Sequence, residues 1–233
     1  MKTPMAAAAG SAVFSDVEGT LVDGSLPAMA VEAARELGLL RPRSRVLIGL
    51  LDTVERVLPR GWSRRVQAMK ALLSTAGLSE AEAARVLDAF LPAARARLKP
   101  AMGARLEAHQ AAGLPLVLLS GGMHEAIARL AAGMNARGEG TRVARRNGVL
   151  TARPDGPICQ GAGKAARARA VLAESGWDAA AGYAYGDTGS DIPFLELFGH
   201  PCAVDPDPVL AAAAARRGWE VFRTAPAGDA GRA

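Results

Sequence analysis

The first patterned stretch of the chain is a short apolar run, Ala12 to Phe14, which ends in Ser15-Asp16 and breaks at Glu18-Gly19-Thr20. A continuous apolar run closed by a glycine turn predicts a buried strand, here one that carries a carboxylate to its C-terminal end. From residue 24 to residue 99 apolar positions recur at helical spacing and no convincing strand occurs. Pro27 near a first turn and Gly38 as a terminator bound one helix. Trp62, Val66, Met69 and Leu73, spaced 4, 3 and 4 apart, share one face of another. Ser79 and Glu82 form an S-x-x-E capping box, which opens a helix whose stripe is Leu87, Phe90, Leu91, Ala94 and Leu98. These stripes read as the core-facing surfaces of a small helical bundle.

The pattern changes at Lys99-Pro100. A helix over about 102–112 leads to the apolar run 116–119, which ends in Ser120-Gly121-Gly122 and passes into a helix with Met123, Ile127, Leu130 and Met134 on one face. Asn147-Gly148, flanked by Arg142-Val143 and Val149-Leu150, is a hairpin signal. A helix follows over about 163–175. Tyr183 to Tyr185 makes a short strand that ends in Gly186-Asp187, and Asp191-Ile-Pro193 starts a helix with an acidic N-cap candidate. Late strands at 203–204 and 221–222 are separated by an alanine-rich helix after Pro208, and the residues from about Ala225 read as a loose tail. Alternating helix and strand is the signature of a parallel sheet. The expected organisation is therefore an α/β core from residues 1–23 and 100–233, with an all-helical insert over 24–99.

Composition agrees with a packed fold. Of 233 residues, 50% are hydrophobic and 22% charged, and with aromatics at only 4% the helices should pack closely. The formal net charge of +5 is carried by scattered arginine pairs, such as Arg145/Arg146 and Arg216/Arg217, without one basic face or interleaved aromatics. That pattern does not favour nucleic acid, whereas a modest positive field suits small anionic substrates. Two cysteines, Cys159 and Cys202, make neither a disulfide framework nor a metal site. The first twelve residues imitate a signal peptide only faintly, with one Lys and no leucine-rich centre, and no apolar run approaches the length of a membrane span. The expectation is a soluble cytoplasmic protein with no membrane partner. Its oligomeric state is not legible.

Polar groups gather at the predicted strand ends and loops: Asp16 and Glu18, Ser120, Lys164, and Asp187 with Asp191. In parallel α/β sheets ligands sit beyond the carboxyl ends of the strands. A capping role would explain each acid singly, but the set matches what phosphate-ester chemistry requires. Asp16 can attack phosphorus as a carboxylate. A hard cation such as Mg²⁺ would bridge Asp16, Asp187 and the phosphate. Ser120 and the amides after it can cradle a phosphate oxygen. Lys164 supplies a neutralising charge, and Glu18 can protonate the leaving oxygen and then activate water. Gly161-Ala-Gly-Lys164 is not a P-loop, because Ile158 and Ala165 occupy positions that need Gly and Ser/Thr. His124 reads as a helix-surface or capping residue, His109 and His200 as structural or exposed, and Arg64 and Arg65 as a solvated helix face.

This ordered set resembles the haloacid dehalogenase-like superfamily of hydrolases, in particular its phosphoserine-phosphatase-like branch. The D-x-D-G-T motif is matched by Asp16-Val-Glu-Gly-Thr20, the hydrophobic-strand serine by Leu118-Leu-Ser-Gly-Gly122, the lysine motif by Gly163-Lys164 and the acidic motif by Gly186-Asp-Thr-Gly-Ser-Asp191. The resemblance implies a Rossmann-like core with the insert as a small helical cap. It makes Asp16 nucleophile and metal ligand, and Glu18 the acid/base that lends its backbone carbonyl to the metal. Ser120 and Gly121 would bind phosphate, Lys164 would stabilise charge, and Asp187 would hold Mg²⁺. Ser190 would touch substrate. Asp191, placed with that substrate-binding group, would orient a metal-bound water or Lys164. The implied activity is a Mg²⁺-dependent phosphatase of small phosphomonoesters that works through an aspartyl-phosphate. The alternatives are a non-hydrolytic phospho-ligand-binding protein or a phosphotransferase. Glu18 is the one departure from the motif. It keeps the carboxyl but adds a methylene, as in the enolase-phosphatase family, and it argues against dehalogenation, which needs no acid there. Phosphoserine is the substrate that the resemblance suggests, although no Glu/Arg pair in the insert is identifiable to read an amine and a carboxylate.

Overall fold

The computed structural model of the chain describes residues 10–55 and 63–224, and of residues 63–65 the backbone only. Trp62, most of the leader-like N-terminal stretch, the tail from Ala225 and the side chains of Arg64 and Arg65 lie outside the described residues.

The opening apolar run forms strand β1 (Val13–Asp16). Four helices follow: α1 (Leu26–Glu36), α2 (Pro42–Glu55), α3 (Ser63–Thr75) and α4 (Glu80–Ala96). After them come α5 (Pro100–Ala111), β2 (Leu116–Met123), α6 (His124–Ala132), β3 (Arg137–Thr141) and the hairpin β4 (Val143–Arg146) with β5 (Val149–Pro154). The chain continues through α7 (Ala162–Ser175), β6 (Tyr183–Gly186), the short α8 (Ile192–Leu195), β7 (His200–Val204), α9 (Pro208–Arg217) and β8 (Glu220–Phe222). Among the described residues, no helix is long and apolar enough to cross a membrane.

Six strands form one sheet in the order β3-β2-β1-β6-β7-β8, and every pairing in it is parallel. β1 is central, with β2 on one side and β6 on the other. The chain therefore leaves β1 in both directions, which opens a crevice at the carboxyl ends of these three strands. Side chains alternate between the two faces of the sheet. Val13, Leu116, Leu118 and Tyr185 pack with α5, α6 and the inserted helices, whereas Phe14, Val117, Leu119 and Ala184 pack with α7, α8 and α9. Strands buried on both faces read as unbroken apolar runs, as these do.

Local signals in the sequence are realised as written. Ser79 and Glu82 cap α4 reciprocally. Asn147 and Gly148 take φ of 52° and 76°, the paired left-handed conformation that a two-residue hairpin turn requires. That hairpin docks on the inserted helices, through Gly77 N–H to the Leu150 carbonyl and Leu150 N–H to the Leu78 carbonyl, both at 2.8 Å. The two passages between core and insert also pair with each other. Val22 bridges Leu98 in antiparallel fashion, flanked by Asp23 N–H to Arg97 O and Lys99 N–H to Leu21 O.

Three expectations change. Met69, placed on the buried face of α3 by its spacing, is 51% exposed, while Val66 on the same helix is buried. Asp191 stands at the N-cap position of α8, yet its carboxylate makes no cap hydrogen bond there, because it is engaged elsewhere. The strand β3 has no counterpart in the sequence pattern: it reads Arg-Gly-Glu-Gly-Thr. Its glycines are there for contact. A Cβ on Gly138 would lie 2.5 Å from the Ile127 carbonyl, and one on Gly140 2.6 Å from the Gly122 carbonyl.

Candidate active site

The carboxyl ends of β1, β2 and β6 bring together the acids and hydroxyls that the sequence holds far apart. Asp16 is the last residue of β1 and pairs with Leu119, so Ser120 stands one residue beyond it on β2. Asp187 follows the last residue of β6. Lys164 enters from the first turn of α7. Gly163, just before it, can only be glycine without rearrangement, since a Cβ there would sit 2.0 Å from the Ile158 carbonyl oxygen.

Lys164 is the electrostatic centre. Its Nζ donates to Asp16 Oδ1 at 2.7 Å and to Asp191 Oδ1 at 2.5 Å, and all three residues are buried. Burial disfavours the ammonium, but the two carboxylates outweigh it and hold the Lys164 pKa above its ordinary value. Asp16 moves upward. Burial is the main cause and the charge of Asp191 adds to it, while the Lys164 ammonium opposes both.

Asp191 is fully buried, and its second oxygen accepts from the backbone amides of Asp187 and Thr188 and from the Thr188 hydroxyl. The structure thus places it behind Lys164 and under the Asp187 loop, rather than along the pocket with the substrate-side residues. Gly186 permits this close approach, for a Cβ there would meet Asp191 Cβ at 2.8 Å. The loop is braced from outside by Asp207, whose carboxylate accepts from Gly189 N–H at 3.1 Å and also caps α9.

Glu18 turns away from this cluster. Its Oε1 accepts from the Leu26 amide at 3.0 Å, at the N-terminus of α1, and its Oε2 accepts from Ser120 Oγ at 3.2 Å. Ser120 in turn accepts from Gly122 N–H at 2.9 Å. The longer glutamate stem thus links the first motif, the β2 serine and the first inserted helix.

A polar cavity of about 390 Å³ opens over these groups, lined by Asp16, Glu18, Gly121, Gln160, Lys164 and Ser190 among others. Ser120, itself fully buried, lies beneath it. Sequence reasoning missed Gln160, and also Gln67 of α3, which lines the same cavity. It passed over Thr20 as well, although Thr20 stands inside the first motif. The Thr20 hydroxyl lies 3.5 Å from both Asp16 Oδ2 and Asp187 Oδ1. His124 starts α6, with Nδ1 accepting from Gly140 N–H at 3.4 Å. His109 belongs to a separate aromatic cluster, where its Nε2 lies 2.6 Å from the Tyr185 hydroxyl.

Asp16, Asp187 and Asp191 offer carboxylate oxygens within 4.8 Å of one another. Among the described residues, the Lys164 ammonium lies against two of these three buried carboxylates. Hard carboxylate oxygens gathered this closely fit a hard divalent cation such as Mg²⁺. Asp16 and Asp187 suit it best, because Lys164 and the loop amides already engage Asp191.

Comparison with known proteins gives the chain a family. A family model described as haloacid dehalogenase-like hydrolase matches residues 13–196. A phosphoserine phosphatase of Mycobacterium tuberculosis is 31% identical over 224 residues, which cover 92% of this chain and 72% of that protein. A crystal structure of a protein of unknown function from Bordetella pertussis superposes with a TM-score of 0.77 at 25% identity, covering 93% of this chain and 99% of that one. The apo form of a phosphoserine phosphatase shares the fold, with a TM-score of 0.61 at 15% identity over 93% of this chain and 94% of that one.

Proposed function

The chain belongs to the haloacid dehalogenase-like hydrolases, and from that membership we propose that it hydrolyses a small phosphomonoester through a phosphoryl group carried on Asp16. The observation that carries this reading is the buried Asp16–Lys164–Asp191 bridge, with Ser120, Glu18 and Asp187 at the adjoining strand ends.

Asp16 is the nucleophile. A carboxylate oxygen attacks phosphorus, the ester P–O bond breaks, and the alcohol departs with a proton from Glu18. Glu18 then takes a proton from water as that water attacks the acyl phosphate, which releases inorganic phosphate and restores Asp16. Lys164 holds one Asp16 oxygen in place and offsets the charge that gathers on the transferring group. Ser120 and the Gly121 amide bind phosphate oxygens. Arrival of phosphate replaces the hydrogen bond from Ser120 to Glu18 and frees the carboxyl for proton transfer. Ser190 at the cavity wall contacts the bound ester, and Asp191 positions Lys164. A Mg²⁺ ion held by Asp16, Asp187 and the Glu18 carbonyl would screen the repulsion between an anionic nucleophile and an anionic ester. Residues 24–99 act as the cap over the site, and residues 1–23 with 100–233 as the catalytic core.

The test is phosphate release from a phosphomonoester panel in the presence of Mg²⁺, together with trapping of beryllofluoride on Asp16. Release that Asp16→Asn abolishes supports the reading. Binding without release points to a phospho-ligand-binding protein. Absence of both release and trapping defeats the proposal.

A further inference from the structure

Beyond the polar cavity lies a second chamber, of about 60 Å³, whose lining is almost entirely carbon. It sits where α1, α3 and α4 of the insert meet the start of α6, with Leu87, Phe90, Met123 and Ile127 among its walls. The two spaces adjoin, since Pro27, Ala68 and Gly121 line both. Gly121 stands at the proposed phosphate position. The chamber therefore lies where the alcohol portion of a bound ester would extend.

Among the described residues, no charged side chain lines this chamber. Its three hydroxyl residues are committed internally. Ser74 donates to the Ala71 carbonyl at 2.7 Å, Thr75 to the Leu72 carbonyl at 2.8 Å and Thr141 to the Gly121 carbonyl at 2.8 Å. An ammonium or carboxylate entering here would lose its water and find no partner, a strongly unfavourable transfer. Hydrocarbon loses nothing and gains from leaving water. A water-sized group needs about 10–15 Å³, so this space takes roughly four to six carbons.

We propose that the chamber selects the leaving group: the preferred substrate is a phosphomonoester whose alcohol carries a compact apolar group, rather than the charged amine and carboxylate of an amino acid. This rests on the phosphatase reading, which it refines. At about 0.8 kcal/mol per buried methylene, each carbon entering the chamber raises kcat/KM about fourfold, and the four carbons between ethyl and hexyl phosphate about 250-fold.

The experiment follows phosphate release from ethyl, butyl and hexyl phosphate and from phosphoserine. In parallel, calorimetry on Asp16→Asn measures binding of hexylphosphonate and phosphoserine. Ala83→Leu and Ala30→Leu, in two different walls, fill the chamber, and the melting temperature of each variant is recorded. A rise along the alkyl series, reduced at least tenfold by either filling variant that folds, supports the assignment. A flat series, or preference for phosphoserine, overturns it and leaves the phosphatase reading standing. If nothing is hydrolysed, the phosphatase reading falls. The chamber assignment then stands if hexylphosphonate binds more tightly than phosphoserine and filling abolishes the difference, and fails otherwise.

Discussion

Replacing Lys164 with Met removes the ammonium that pairs with the buried carboxylates of Asp16 and Asp191, while nearly conserving side-chain length. Its Nζ now satisfies Asp16 at 2.7 Å and Asp191 at 2.5 Å, and both partners are buried. Breaking a buried pair by deleting one partner is destabilising by about 3–5 kcal/mol, because the remaining charge loses its compensation. For a domain of this size that amounts to a fall in melting temperature of roughly 6–20 °C. The deficit should depend on pH, with a sign that the structure fixes. Burial already raises the Asp16 pKa, with Lys164 opposing, and removing Lys164 drives it further up. An acid raised in the folded state contributes stability that is complete below its unfolded pKa and is lost as pH rises through the folded value. Lys164→Met should therefore be weakest near pH 8 and approach the parent as pH falls towards 5. Urea unfolding followed by circular dichroism, in chelator-treated buffer so that no cation substitutes, measures this. Adding Asp191→Asn should restore part of the loss. A deficit below about 1 kcal/mol at pH 8, or one that does not change with pH, would refute the electrostatic account.

Three further outcomes are expected. Glu18→Gln is nearly isosteric and still accepts from the Leu26 amide, but it has no proton to give, so kcat should fall about 10²–10⁴-fold with KM nearly unchanged in steady-state assays. Gly163→Ala drives a Cβ to within 2.0 Å of the Ile158 carbonyl oxygen and should cost about 2–3 kcal/mol in thermal unfolding, along with activity, because Lys164 is the next residue. Burial, aided by Arg105, pushes the His109 pKa down to about 4. A depressed base opposes folding when protonated, so stability should be flat above pH 6.5 and decline from there towards pH 4. His109→Gln should remove that slope, and an unchanged slope would place its origin elsewhere.

The parts of the fold legible in the sequence are those where one residue type has one physical explanation. β1, β2 and β6 are short apolar runs ending in polar residues because both faces are covered and the carboxyl ends open on the crevice. The Ser79–Glu82 box and the Asn147-Gly148 turn are local chemistry and needed no tertiary information. β3 was illegible for the opposite reason: Gly138 and Gly140 are selected by the backbone of α6 and by Gly122, which no window of the sequence reveals. Met69 misled because spacing identifies a face but not whether a neighbour covers it. In the site, each acid was visible by motif, but the partners that divide their roles were not. Asp191 reads from its local pattern as a helix cap and from the motif resemblance as a partner of a metal-bound water or of Lys164, and only the packed structure shows Gly186 and Lys164 drawing it inward. The apolar chamber could not be read at all, since its walls come from both sides of the Val22–Leu98 bridge.

That bridge has an evolutionary consequence. Because the entry and exit of the inserted helices are paired as neighbouring strands, the core sees the insert as a long hairpin loop. Loop closure is insensitive to length, at about 0.6 kcal/mol for each doubling. Helices can thus be lengthened, shortened or exchanged between these two anchors without disturbing the register that sets Asp16 beside Lys164. The inserted helices supply much of the chamber wall and none of the buried carboxylates. Descent could therefore rewrite which alcohol is accepted while leaving the handling of phosphate untouched, and swapping the segment between two such proteins should carry the preference with it.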